Sequence, residues 1–437
     1  ELLLKNKILE IYDTGNPFDA PIVDTAIVIV QKNNEINNYK FIFIDGKNDF
    51  MNPDVFVGDI NLYKNAPNNV FFIPNEVNKK IANKYFNQVQ PLLDKWWDKI
   101  STSKNIEKYY NELKKYRNSL KPGDITLLGL ITEGGQGLAT ANNGKYIGVK
   151  EGTKWAENVK KQRPEKLLLA AEFCKQNNIK TKQEAEDCIN KLNELEIRKL
   201  FDEIKEKYGR DIFGQGWLYR IVSDDEIADV DLLTDDDKLN GITGDKTFVP
   251  YDKGDKDGNR WYAPTPYYID WSRKNVNFLK ENSGKKGEGM PVVRNPQFYF
   301  REGFCWNFAL LPKNEESKII KCRIKEKTVN DVMTMALCSI FKFSPNYYIV
   351  ALLNSKFSYN YLKTFINSTA GQQINDIRQL PIIIPTDEQL CKYKDIFDSA
   401  VEIQKDKFAG KISVDEVEVK LAEIQKELDK YVEGMYL

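Results

Sequence analysis

The sequence predicts an α+β chain, and three features predict it. Runs of β-branched and apolar residues lie near its start, glycine- and aromatic-rich strand-and-turn stretches fill its middle, and helical periodicity governs an internal block and everything from Asp387 onward. At 437 residues the chain exceeds one ordinary core, so two or three domains are expected.

In chain order, residues 22–30 (IVDTAIVIV) and the run Tyr39 to Ile44 flank a polar stretch, which predicts a β-hairpin. From Asn75 to Leu120 the pattern is helical, with Asn75 as cap and Leu92, Leu93, Trp96 and Trp97 on an apolar face. Residues 125–150 alternate strands with glycine turns. Residues 164–207 are helical again, with Thr181 to Glu184 as a capping box. Met290 to Phe300 reads as a strand pair, Tyr347 to Leu353 as a helix and Leu380 to Pro385 as a short strand. The helical C-terminus breaks at Gly410 to Ser413, and Ile424, Leu428 and Tyr431 share one face of its second helix.

Composition excludes several chemistries. Histidine is absent, which removes Ser–His and Cys–His nucleophile pairs and histidine-held metals. The six cysteines form no CxxC pair and point to a reducing cytoplasm. No apolar run reaches membrane-span length, so no membrane partner is expected. The net charge is zero but uneven. Residues 271–301 hold seven Lys/Arg against two acids, and residues 223–237 hold eight acids and no base. This predicts a basic face backed by an acidic, solvated loop.

The densest polar stretch runs from Gly134 to Tyr146. Its glycines do not have phosphate-loop spacing, but Gln136, Thr140, Asn142, Asn143 and Lys145 are suited to phosphate oxygens and base edges. Arg294, Asn295, Gln297 and Arg301 offer further donors on a basic stretch. Lys285 and Lys286, in a Gly-rich loop, are candidate phosphate contacts. Asn295-Pro296-Gln297-Phe298 lacks the second proline of the amino-methyltransferase Asn/Asp-Pro-Pro-Tyr/Phe turn, so no catalytic residue is assigned.

Four stretches together resemble a family. Asp24-Thr25 with Ile27 to Lys32 (IVIVQK) is similar to the last hairpin of adenine-N6 DNA methyltransferase domains. Gln136 to Tyr146 resembles the "Gly-x-x-Thr-Gly-Asn/Asp-Asn-x-x-Phe" signature that opens their target recognition domain, with Ala141 for Gly and Tyr146 for Phe. Phe298 to Trp306 (FYFREGFCW) resembles their "Tyr-Phe-x-x-Gly-x-x-Trp" element. Leu353-Asn354-Ser355-Lys356 and Asn375 to Ile382 (NDIRQLPI) resemble the end of that domain, which adds Lys356 and Arg378 to the DNA-contacting set. The resemblance is to type IIG restriction–modification enzymes and to TaqI-like and BREX-like methyltransferases.

It implies the end of a catalytic domain over 1–50, a helical connector over 51–123 and a target recognition domain over 124–386. Residues 151–210 would be a helical insertion, and C-terminal helices would cover 387–437. It also implies duplex DNA as partner, together with an upstream methyltransferase domain of the same polypeptide. S-adenosylmethionine would be the parent's cofactor, with none held by this portion. The alternative expectation is a specificity subunit of a type I restriction–modification system.

Overall fold

The computed structural model describes residues 3–16, 24–32, 38–47, 49–64, 66–101, 107–214, 219–255, 257–287, 289–308, 317–369 and 371–437. The fold is mixed α and β with a helical C-terminus.

An amino-terminal sheet holds β1 (Lys7–Gly15), β2 (Thr25–Gln31), β3 (Lys40–Asp45) and β4 (Asp54–Asp59), in the order β2-β1-β3-β4. The expected hairpin between the second and third strands is therefore overturned. β1 lies between them, antiparallel to β2 and parallel to β3. Residues 22, 23 and 33–37 of that expectation lie outside the described residues. β1 escapes pattern reading because its register shifts between Ile8 and Glu10, which breaks the period-two alternation. One face of the sheet buries Ile8, Ile11, Phe41 and Phe43. The other carries two cross-strand rows, Ile27–Tyr12–Ile44–Val55 and Ile29–Glu10–Ile42–Val57. In those rows Ile27, Ile29, Ile42, Val55 and Val57 are exposed.

Helix α1 (Glu76–Leu92) opens at Asn75, whose side chain accepts the Asn78 N–H at 2.8 Å, and continues through Trp97 to Ile100. Helix α2 (Tyr110–Ser119) follows. Strand β5 (Ile125–Leu127) leads to β6 (Thr132–Gln136), β7 (Ile147–Lys150) and a block of helices: α3 (Lys154–Leu168), α4 (Ala171–Gln176), α5 (Lys182–Ile189) and α6 (Glu194–Tyr208). The Thr181 capping box is formed. These helices close over their own core of Leu167, Phe201, Ile204 and Phe213.

Beyond them lie β8 (Arg220–Val222), α7 (Asp235–Asn240), β9 (Phe248–Asp252), β10 (Tyr267–Asp270), α8 (Arg273–Glu281), β11 (Gly303–Asn307), β12 (Arg323–Lys325), β13 (Val329–Asn330) and β14 (Thr334–Ser339). Two sheets result, a central one ordered β12-β11-β14-β6 and a second ordered β13-β9-β10-β7-β8. A buried ion pair, Arg323 with Asp252, joins them. Residues 290–300 form no strand pair. Asn295 takes a left-handed φ of 49°, and Pro296–Phe298 is a single tight turn, because proline cannot donate to a ladder.

Helices α9 (Asn346–Leu353) and α10 (Lys356–Tyr361) precede β15 (Pro381–Ile383), which pairs with β5. Helices α11 (Asp387–Phe408) and α12 (Val414–Tyr436) complete the chain, with the break where glycine predicts it. Tyr436 stitches α12 into the main core. Its carbonyl accepts the Tyr85 hydroxyl at 2.8 Å, and its own hydroxyl accepts the Ile383 N–H at 2.9 Å. No helix among the described residues is long and apolar enough to cross a membrane.

Candidate nucleic-acid interface

Strand β6 and the Asn295 turn build the site. Gly134 and Gly135 are glycine because neighbouring chain occupies the space a side chain would need. A Cβ on Gly134, at φ 152°, would stand 2.3 Å from the Ala336 carbonyl oxygen, and one on Gly135 would stand 2.3 Å from Asn295 Nδ2. Asn295 fills that gap and donates from Nδ2 to the Gln136 carbonyl at 3.0 Å. Tyr299 donates its hydroxyl to the Arg294 carbonyl at 2.8 Å, which holds the turn from its other side. The geometry expected of a strand pair is thus supplied by a braced loop.

Beside this turn lies a cleft of about 820 Å³, lined in part by Gln136, Arg294, Asn295, Gln297, Arg301 and Arg378. These six sequence-derived candidates come from segments far apart in the chain. Arg301 pairs with Glu133 at 3.2 Å and lies over the Phe298 ring, 5.2 Å from its centroid. Arg294 makes no side-chain hydrogen bond or ion pair among the described residues. Arg378 is buried at the cleft wall, and burial pulls its guanidinium down to about 10, which leaves it charged at neutral pH. It donates to the carbonyls of Ile100 and Gly134, each at 3.4 Å. Tyr110, Asn111, Glu133 and Asn375 also line the cleft and were not singled out from sequence. Tyr110 is exposed at the cleft.

The remaining candidates lie elsewhere. Thr140 is buried and turned inward, donating to Asn143 Oδ1 at 2.5 Å while accepting the Asn142 N–H at 3.3 Å. Its hydroxyl is committed to the turn, which removes it and the Asn143 oxygen from contact with a ligand. Asn143 lines a separate cleft, against α3 and β9. Ala141 has a φ of 52°, so the backbone keeps the left-handed conformation that glycine adopts without strain. Tyr146 is buried, and desolvation pushes its hydroxyl up to about 12. Lys145 sits over the Phe278 ring at 5.0 Å. Lys285 and Lys286 are exposed in their loop, with Lys285 donating to Asn282. Lys356 starts α10, its backbone N–H bonded to Asp429 of α12.

The charge segregation needs correction too. The acidic stretch does not back the basic one at a distance. It runs through α7, which packs on α8: Asp236 pairs with Arg273, and Lys280 donates to Asn240 Oδ1 at 3.0 Å. Asp231 pairs with Lys327 and Asp224 with Lys150. Part of the positive charge of residues 271–301 is therefore answered internally.

No group of three or more Cys, Asp or Glu placed to hold a metal occurs among the described residues. No protein-family model matches the chain, and no curated protein matches it.

Proposed function

We propose that this chain recognises duplex DNA for an adenine-N6 DNA methyltransferase, with methyl transfer from S-adenosylmethionine carried out by a catalytic domain upstream. The observation that carries the proposal is the convergence of Gln136, Arg294, Asn295, Gln297, Arg301 and Arg378 on one cleft. Amides and guanidinium groups held by a braced backbone are the groups that read base edges, and lysines outside the cleft, on exposed loops, are suited to phosphate contacts. The exposed apolar face of the amino-terminal sheet supports the catalytic partner over the specificity-subunit alternative. Five aliphatic side chains on one open sheet face form a patch of the kind that another domain covers.

Mobility shifts of the chain with random-sequence duplex DNA, at several salt concentrations, test the proposal. Affinity is expected to fall steeply as salt rises, because bound Lys and Arg release counterions. Affinity that holds constant from low to physiological salt sinks the proposal.

Substitutions are expected to separate into two groups. Lys285→Ala and Lys286→Ala, on an exposed loop, should weaken all sequences alike and lower the salt slope by about one unit each. Arg294→Ala and Gln297→Ala, placed in the full-length methyltransferase, should relax one base of the modified motif and cost roughly 1–3 kcal/mol on it. Methylome sequencing reads the second outcome. An unchanged motif in both variants would show that the reading surface lies elsewhere.

A further inference from the structure

A duplex can lie across the mouth of the cleft but cannot enter it, whereas one of its units can. Pockets of roughly 300–1,000 Å³ hold small molecules, and this one is about 820 Å³. Its most unusual occupant is Arg378. The residue is 8% exposed and makes no ion pair among the described residues; its Nε is buried with no hydrogen-bond partner. Its two other nitrogens reach only backbone carbonyls, each at 3.4 Å. A buried guanidinium without a counter-ion is unfavourable unless an anion completes it. Glu133 favours the Arg378 charge from nearby but makes no ion pair with it, the Glu133 carboxylate pairing with Arg301 instead.

The rest of the lining fits the remainder of a nucleotide. Arg294 adds an uncommitted cation. Gln297 and Asn375 carry side-chain amides with no hydrogen bond among the described residues, and Tyr110 offers an exposed ring. Amides match the edge of a base, an aromatic ring its face.

We propose that the cleft seats a single nucleotide, with its phosphate on Arg378 and Arg294 and its base against Tyr110 and the free amides. The inference rests on the DNA-recognition reading of the same site and goes one step further. The nucleotide comes either from the bound strand, swung out of the helix as base-modifying enzymes do, or from the pool of free mononucleotides.

Fluorescence anisotropy with the whole chain decides it. The probes are a labelled mixed-sequence duplex, the same duplex with one unpaired nucleotide as a bulge, and the four free deoxynucleoside 5′-monophosphates. A bulge supplies a base already out of the stack, so it should bind roughly ten-fold more tightly than the paired duplex. Arg378→Gln should abolish that preference, so that the bulged and the paired duplex bind with the same affinity. Asn375→Trp, at an exposed position that fills the cleft without disturbing the core, should do the same and covers the case in which the Arg378 variant does not fold. Saturable binding of a free monophosphate, lost in both variants, would also support the cleft and would assign the nucleotide to the free pool. If the paired duplex binds but neither the bulge nor a monophosphate is favoured, the nucleotide proposal is overturned while DNA recognition stands. A bulge preference that survives in both variants overturns it as well. If no DNA and no monophosphate binds, both proposals fail.

Discussion

Arg323→Met is expected to destabilise the protein by about 3–5 kcal/mol, because it leaves a carboxylate buried without its partner. Arg323 and Asp252 are each under a tenth exposed, and their ion pair bridges the end of β9 to β12. Asp252 has other duties. Its backbone carbonyl accepts the Asp331 N–H at 2.9 Å and the Thr334 hydroxyl at 3.2 Å. An unpaired charge there would disturb both sheets at their junction. The double variant Arg323→Met with Asp252→Asn removes the stranded charge and should recover most of the loss. Urea unfolding followed by circular dichroism measures both. A single variant within about 1 kcal/mol of wild type would mean the pair adds no more than an exposed one does.

Gly137→Ala should produce the second large effect. A Cβ on Gly137 would stand 1.8 Å from the Asn330 carbonyl oxygen, closer than any contact a side chain can tolerate, and the obstacle is backbone. The Leu138 N–H bonds to that same carbonyl at 2.8 Å, so β13 cannot retreat without breaking the link. A cost of about 1–3 kcal/mol or more is expected, together with displacement of Gln136 and hence weaker DNA binding. Gly434→Ala is the control: its Cβ would meet nothing within 4 Å, on a helix where alanine is preferred, so it should be neutral or mildly stabilising. Equal melting temperatures for the two variants would argue against the tight packing of β6 on β13.

What could be read from sequence was what is decided locally. The Asn75 cap, the Thr181 capping box and the break between α11 and α12 depend on residues within a few positions of one another, and each stands where expected. The partner of β2 was not legible, because the register shifts of β1 break its alternation, and strand order is a long-range property. For the site, residue types were legible and surroundings were not. Arg378 and Thr140 look like equivalent surface donors in the sequence. Chain more than two hundred residues from Arg378 in sequence buries it, through Ile100 and Gly134. Thr140 is lost to its own turn. The left-handed Asn295 that replaces the expected strand pair is set by Gly135, whose missing side chain is the space Asn295 occupies.

The Tyr436 stitch also bears on how the protein is made. Tyr85 and Tyr436 are separated by 351 residues, yet each is fully buried and one hydrogen bond joins them. Ribosomes add about 5–20 residues per second, so the core around α1 stays open for roughly 20–70 s after Tyr85 is synthesised. During that interval the aromatic face of α1 is bare in the nascent chain, while the short-range helical block from α3 to α6 gains every residue of its own core well before Tyr436 is made. Newly made copies should therefore be held by chaperones at α1, and stop codons placed just before α12 should send the region packed around α1, not the last helix alone, to proteolysis.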